Sequence, residues 1–339
     1  MRRWTVREYR SEDARGVREL YATVFRYVPP LEHFVWKFND NPAGRGIITV
    51  AEDSGRIVGH GALMPTPLRV GSESIRGAQG VDAMTHPDYR NQGMFVALSE
   101  VCAEQAAANR IEVLYTMSGH PGVYGGAVRR LSWDHTGDIA KWVRVLCANS
   151  QTFPRSKRVI SLGLQFMPLG RSSARGVEVR MEPPKEDEFV SLNEQVASSW
   201  LPTACRIEHS ADWFRWRFDR ASQRHYIWFS AYREGDLKAW AVFGMNDWGE
   251  VPIIDVCGTD DAALRGVSSR ATRRAKELGL AMLLSFTNDD NVARALRSCG
   301  YLRHGSTPLI VRSLTSKVLQ GNIHDHSSWH LAAEDFDTF

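Results

Sequence analysis

The stretch QGVDAMTHPDYRNQGMF, residues 79–95, organises the predicted fold of this chain. Its first half has strand character, residues 86–88 mark a turn, and residues 90–93 precede a helical spacing of apolar residues that runs to about residue 109. The first turn of such a helix has unpaired backbone N–H groups and the positive end of the helix dipole, so it suits a pyrophosphate. Gly93 lets the backbone approach such a group, and Arg90 adds positive charge.

The length and composition are those of an ordinary globular protein with more than one domain. The chain has 339 residues, 43% of them hydrophobic and 24% charged, and a net charge of +3. This small charge gives no case for nucleic acid as a partner. We find neither an apolar run of eighteen residues nor an apolar leader after residue 3, so no membrane partner is expected.

Five cysteines are scattered along the chain, an odd number without a CxxC pair. This usage is typical of reduced, buried thiols and favours a cytoplasmic location. The residue types say nothing about the oligomeric state.

Patterns on both sides of the central stretch predict alternating strands and helices. Before it we expect strands over residues 6–9, 46–52 and 56–68 and helices from residue 11 and over 31–38. After it we expect a buried strand at 111–117, a short helix at 122–131, and a strand at 133–145 that closes the first unit.

The second half repeats the first. Trp36-Lys37-Phe38 recurs 180 residues later as Trp216-Arg217-Phe218, and Val81-Asp82 recurs 173 residues later as Ile254-Asp255. Such an offset predicts two copies of one unit. We therefore predict a first domain at residues 1–147, a linker at 148–176, a second domain at 177–313 and a tail at 314–339.

The two copies differ where an anion would bind. The second copy has Asp260 and Asp261 in place of the turn before the helix, and these acids would repel a pyrophosphate. We expect one anion site, in the first half. The linker residues Arg155, Lys157, Arg158, Arg171 and Arg175 are either a solvated face or a grip for an anionic acceptor.

The pattern Arg90-x-x-Gly93-x-Phe95 resembles the acyl-CoA-binding motif of the GNAT superfamily of N-acyltransferases, with Phe95 where a small residue is usual. The order of predicted elements is also that of the GNAT fold, which implies an α/β protein of two tandem domains, each a mixed, mostly antiparallel sheet flanked by helices. By this resemblance acetyl-CoA or another acyl-CoA is the cosubstrate. Its pyrophosphate and pantetheine contacts are implied at Met84, Thr85, His86, Arg90, Asn91, Gln92, Gly93, Met94 and Phe95.

Acyl transfer to an amine needs a proton acceptor for the amine and a group that stabilises the departing thiolate. Asp82 is the candidate base, because a partly buried carboxylate can have a raised pKa; the alternative is a structural carboxylate. Gln79 could hold the acceptor. The resemblance places Val128 where the family often has a tyrosine acid, so His120 and Tyr124 are the remaining candidates.

The tail segment NIHDHSSWH, residues 322–330, has metal-ligand residue types but no fixed elements to hold them, and we expect no metal. The whole chain resembles double-GNAT acyltransferases of bacteria, including those that modify a nucleotide-linked amino sugar. The resemblance implies acylation of such a sugar by direct attack in a ternary complex. Two alternatives are acylation of another amine, such as an aminoglycoside or a protein lysine, and a non-catalytic acyl-CoA sensor.

Overall fold

The computed structural model describes residues 3–147, 165–167, 176–220, 225–245 and 252–336. The basic residues of the predicted linker lie outside this part of the chain; they are Arg155, Lys157, Arg158, Arg171 and Arg175. The strands are β1 Thr5–Glu8, β2 Ile47–Asp53, β3 Arg56–Val70, β4 Glu73–Thr85, β5 Val113–Met117, β6 Asp134–Val145, β7 Glu178–Arg180, β8 Cys205–Ile207, β9 Ile227–Arg233, β10 Asp236–Met245, β11 Pro252–Gly258, β12 Met282–Phe286, β13 Leu302–Ser313 and β14 Trp329–His330. The helices are α1 Ala14–Phe25, α2 Leu31–Phe38, α3 Met94–Ala108, α4 Pro121–Arg130, α5 Glu186–Ala197, α6 Ala211–Phe214, α7 Asp261–Glu277 and α8 Asp290–Ser298.

The described strands form one continuous mixed sheet that runs through both halves. Its order is β1-β2-β3-β4-β5-β13-β6-β12-β11-β10-β9-β7, with β8 bonded to β3 and β14. Most neighbours are antiparallel, and β4–β5 and β11–β12 are parallel. The predicted α/β architecture of two repeats with mixed sheets and flanking helices is confirmed.

The two halves exchange their last strands. β13 pairs with β5 through Leu309 and Met117, whereas β6 pairs with β12 through Val145 and Met282. The expectation that residues 133–145 close the first unit is therefore wrong, because β13 lies between β5 and β6. Alternation of apolar residues predicts which face of a strand is buried, but not which strand lies beside it. The domain boundaries at 147 and 313 stay a prediction.

Helices cover both faces of the sheet. On the first face, α3 packs against β2, β3 and β4, α4 packs against β13, and α7 and α8 pack against the strands of the second half. On the second face, α1 packs against β2, β3 and β4, while α2, α5, α6 and the C-terminal segment share one large aromatic core. We call these the α3 face and the α1 face.

The sheet opens where parallel strands diverge. β4 pairs with β5 only over Gly77–Gln79. Within the described residues, the edge of β4 that faces β5 therefore has no strand beside it from residue 80 to residue 85. Asp82 lies in this segment with a left-handed φ of 49°, next to a shift of register with β3. The opening joins the two faces of the sheet.

A corresponding opening in the second half is filled by the tail. β11 and β12 pair only at Ile253 and Leu284. Beyond that point Ala332 forms a bridge with Thr287, and the backbone N–H of Glu334 donates to Asp255 at 2.6 Å. The chain itself thus occupies in the second half the place that stays open in the first.

None of the helices in the described residues combines the length and the apolar character that crossing a membrane requires.

Candidate active site

A cavity of about 1390 Å³ passes through the opening between β4 and β5. Its walls come from the N-terminal ends of α3 and α4 on the α3 face and from the end of α1 on the α1 face. The second half contributes Phe286, Thr307 and Phe336, which reach the cavity because β13 and the tail lie beside the first half. The cavity is large enough for a cosubstrate and an acceptor to meet.

The N-terminus of α3 faces this cavity without a side-chain cap. Gly93 is the N-cap residue, with a φ of 76°, and Asn91 also has a left-handed φ of 62°. The first N–H groups of the helix are therefore available to a ligand. In the second half, Asp260 accepts a hydrogen bond from the N–H of Ala263 at 2.8 Å and caps α7 itself. The two copies differ here as the acidic residues in the sequence predict.

Three arginines line the cavity: Arg90 from the turn before α3, and Arg129 and Arg130 from the last turn of α4. In the part of the chain that the structure describes, none of their guanidinium groups makes an ion pair or hydrogen bond. Glu100 is the acidic residue of the lining on this face. The α3-face mouth is thus cationic and matches a polyanion.

The sequence-predicted donor residues divide into two groups. Those that line the cavity are Thr85, Arg90, Asn91, Gly93, Met94 and Phe95. Met84 instead packs under α1 on the other face. The backbone N–H of His86 donates to the carbonyl of Val58 at 2.9 Å, so it is not available to a pantetheine arm. Gln92 accepts a hydrogen bond from the Trp4 indole at 3.3 Å and lies outside the lining.

The unusual Phe95 is accommodated by a glycine on α4. A Cβ atom placed on Gly126 would lie 2.5 Å from Cδ1 of Phe95. The ring therefore occupies the space of a side chain on α4, and the N-terminus of α3 approaches the middle of α4 closely. A bulky residue at the last motif position is compatible with the fold for this reason.

Asp82 lines the cavity and forms an ion pair with Lys37, whose Nζ is 2.9 Å from Oδ2. Lys37 is 1% exposed. Burial raises the pKa of Asp82, but the Lys37 ammonium, the His60 ring and a hydrogen bond from Tyr21 together outweigh burial, so that the pKa is held below its ordinary value. The expectation of a raised pKa is wrong, because the sequence did not reveal the buried cation. A carboxylate of lowered pKa is a poor proton acceptor.

His120 lies at the N-cap of α4 and lines the cavity. Its Nδ1 accepts a hydrogen bond from the N–H of Gly122 at 3.1 Å. In the neutral ring this leaves the proton on Nε2, which can donate to a ligand in the cavity. The geometry suits a hydrogen-bond donor to a leaving thiolate more than it suits a base.

Tyr124 points away from the cavity. Its hydroxyl lies 3.2 Å from Nδ1 of His135, and Nε2 of that ring lies 3.0 Å from Asp138. Gln79 is also outside the lining. Its side chain is 1% exposed in the core, and its Oε1 has no hydrogen-bond partner in the described structure. The structure brings Asp82 and His120 to the cavity, and does not bring Tyr124 or Gln79 there.

The sequence analysis did not identify several residues that line the cavity. Arg129 and Arg130 lie at the end of the helix predicted at 122–131, and this pair of basic residues was a signal that could have been used. Phe286 and Phe336 come from distant segments, and no local pattern connects them with residues 79–95.

The histidines of the tail bind to the sheet and its loops. His324 pairs with Asp134 at 2.9 Å, and Nε2 of His326 lies 2.9 Å from the carbonyl of Asp138. His330 stacks on Trp200 with ring centroids 4.0 Å apart. Across the described ranges, the side chains include no group of three or more that could hold a metal ion.

Comparison with known proteins gives a family for the first part of the chain. Residues 5–127 match the family model of the acetyltransferase (GNAT) domain. No curated protein matches the sequence.

Solved structures with similar folds cover almost the whole chain. Saccharomyces cerevisiae N-myristoyltransferase with bound myristoyl-CoA has a TM-score of 0.66 at 11% identity, over 92% of this chain and 83% of that one. A tandem GNAT protein from the clavulanic acid biosynthesis pathway has a TM-score of 0.62 at 13% identity, over 93% and 100%. A probable N-acyltransferase from Enterococcus faecalis has a TM-score of 0.63 at 10% identity, over 92% and 73%. At these identities the similarity concerns the fold.

Proposed function

We propose that this chain, whose residues 5–127 match the acetyltransferase (GNAT) domain model, is a GNAT-type acyltransferase that moves an acetyl or other short acyl group from an acyl-CoA to the amino group of a small acceptor. The observation that carries this proposal is the cavity through the β4–β5 opening, with the uncapped α3 N-terminus and three unpaired arginines at one mouth. Phosphates of an acyl-CoA match this mouth, and the open edge of β4 offers backbone groups to the pantetheine arm.

The reaction we propose is direct attack in a ternary complex. The amine nitrogen forms a bond to the thioester carbonyl carbon, and the carbon–sulfur bond breaks as the tetrahedral intermediate collapses. The Nε2–H of the exposed His120 side chain donates a hydrogen bond that stabilises the departing thiolate, and the thiolate takes its proton from solvent. The proton of the attacking amine passes to water, since Asp82 is held as a carboxylate by Lys37.

The nucleotide-linked amino sugar expected from the resemblance would place a diphosphate in the acceptor part of the cavity. The linker arginines that could bind it fall outside the described residues, and the described lining on the α1 face contains no arginine or lysine.

Ligand-induced stabilisation tests the donor site. Acetyl-CoA at about 100 times its Kd should stabilise the folded protein by about 2.7 kcal/mol, which corresponds to a rise in Tm of roughly 5 °C. Gly93→Asp should abolish this rise, because a side chain and a negative charge enter the phosphate site. Gly235→Asp is the matched control: Gly235 has a similar φ of 89°, with open space around it in the β9–β10 turn.

Thiol release from acetyl-CoA in the presence of a panel of amines then tests turnover. Transfer to at least one amine supports the proposal. Binding of acetyl-CoA without transfer to any amine would favour the sensor instead, and a wild-type protein that no acyl-CoA stabilises would refute the donor site itself.

A further inference from the structure

The two mouths of the cavity differ in chemistry. The lining on the α3 face holds the three arginines. The lining on the α1 face is apolar and includes three aromatic rings: Phe25 at the end of α1, Phe286 at the end of β12, and Phe336 in the tail. If the acyl-CoA enters by the cationic mouth on the α3 face, the acceptor enters by the mouth with the aromatic rings on the α1 face.

The aromatic wall is already formed in the absence of a ligand. The rings of Phe286 and Phe336 have centroids 4.5 Å apart, and Phe336 is 6% exposed. Arg217 donates a hydrogen bond to the carbonyl of Phe336 at 2.5 Å, and the N–H of Glu334 donates to Asp255 at 2.6 Å. The tail that fills the second opening therefore fixes Phe336 at the edge of the first.

Charge on this face is nearly absent from the described lining. Asp82 is the charged residue there, and its carboxylate is neutralised by Lys37 at 2.9 Å. A diphosphate would meet no arginine or lysine in the described lining of this face and would lose its hydration. An apolar group loses nothing on entering and gains contact with the rings.

We propose that the acceptor is a primary amine carried on an apolar body, aromatic or of similar bulk. The body lies against Phe25, Phe286 and Phe336, and the nitrogen points past Asp82 toward the thioester. This proposal rests on the acyltransferase function proposed above, and it names the class of acceptor for the same site.

The test compares two primary amines of similar basicity, 2-phenylethylamine and ethanolamine, with a nucleotide-linked amino sugar as a third acceptor. We expect kcat/KM for 2-phenylethylamine to exceed that for ethanolamine by at least about tenfold. Equilibrium binding of each amine to protein saturated with CoA is measured in parallel, and the same preference is expected without any turnover.

Variants test whether the aromatic wall causes the preference for 2-phenylethylamine. Phe336→Ala and Phe25→Ala should each raise KM for 2-phenylethylamine about tenfold and leave KM for acetyl-CoA within about twofold. Phe25 is 36% exposed, so Phe25→Ala decides the question if loss of the buried Phe336 prevents folding. Phe166→Ala is the control, since Phe166 is 79% exposed and does not line the cavity.

Equal or better use of ethanolamine or the nucleotide sugar would overturn the proposal, and so would wall variants that leave the preference unchanged. Absence of 2-phenylethylamine binding to the CoA-saturated protein would also overturn it, whether or not transfer occurs. Failure of the acyltransferase function is distinguished by the absence of stabilisation by acetyl-CoA.

Discussion

Trp36 and Trp216 each donate their indole N–H to the backbone carbonyl of the other, at 2.7 and 2.9 Å. Their rings stack with centroids 4.7 Å apart and planes 11° from parallel. Each carbonyl belongs to the end of a helical turn, where helix geometry leaves carbonyls without partners. The pair thus joins the two copies of the repeat by a reciprocal contact at equivalent positions.

We predict that Trp36→Phe and Trp216→Phe each lower the free energy of unfolding by about 1–3 kcal/mol more than Trp240→Phe does. Each of the first two leaves a buried carbonyl without its donor. Trp240 is fully buried as well, but its Nε1 has no hydrogen-bond partner in the described structure, so its replacement changes volume alone. Urea unfolding of the three variants measures the difference, and equal losses in all three would contradict it.

Two variants of His120 separate its proposed role at the thiolate from its role as the N-cap of α4. His120→Asn keeps an acceptor at the N-cap of α4 but removes the imidazole, whereas His120→Ala removes both. We expect kcat to fall about 10²–10³-fold in both variants, because neither places the Nε2–H of the ring at the departing thiolate. Only the alanine variant should lose stability, by about 1 kcal/mol.

Steady-state kinetics and thermal unfolding of the same two proteins check this prediction. A kcat for His120→Asn near that of the wild type would show that the ring only caps the helix. A loss of kcat confined to His120→Ala would lead to the same conclusion.

Gly126→Ala should weaken acetyl-CoA binding by about tenfold. Its Cβ would lie 2.5 Å from Cδ1 of Phe95, so the ring must move within the cavity, and such overpacking costs about 1–3 kcal/mol. In a Phe95→Ala background the obstacle is gone, and Gly126→Ala should then stabilise α4 by about 0.5–1 kcal/mol through helix propensity.

Calorimetric titration with acetyl-CoA measures this effect in the two single variants and the double variant. If Gly126→Ala weakens binding as much in the Phe95→Ala background as in the wild type, the contact between the two residues is not the cause.

The buried acids around the tail predict a stability that falls as pH rises. Burial raises the pKa of Asp255 to about 7, and burial together with Asp255 and Asp335 raises the pKa of Glu334 well above its ordinary value. Arg217 opposes both shifts, and His209 lies 3.2 Å from Glu334. In the unfolded state both carboxyls release their protons near about pH 4, whereas in the folded state Asp255 keeps its proton to about pH 7 and Glu334 keeps its proton well above its ordinary range. Stability is therefore full below about pH 4 and declines as pH rises above it, by up to about 1.4 kcal/mol per pH unit for each group.

Glu334→Gln should make this decline shallower and raise the Tm at pH 8, because the neutral amide needs no proton. Thermal unfolding from pH 5 to pH 8 gives the slope. Glu104→Gln is the control, since Glu104 is exposed on α3. A variant at position 334 with the slope of the wild type would contradict the prediction.

Local patterns were sufficient for the strand, turn and helix of residues 79–95 and for the repeat. The turn at residues 90–93 could be predicted because a glycine, an arginine and a helix start are adjacent in sequence. The charge state of Asp82 could not be predicted, because it depends on Lys37, which α2 places beside it. The repeat did contain a signal, since Lys37 and Arg217 are equivalent, and so are Asp82 and Asp255.

The sequence by itself determined the α/β repeat and the place of the uncapped helix start at Gly93, because both follow from the periodicity and residue types of contiguous segments. Only the tertiary structure decided that β13 lies between β5 and β6, that the tail fills the second opening, and that Phe286 and Phe336 line the first. Those arrangements depend on which distant segments pack together, and such packing is set by the sum of many contacts across the sheet and not by any one stretch of chain.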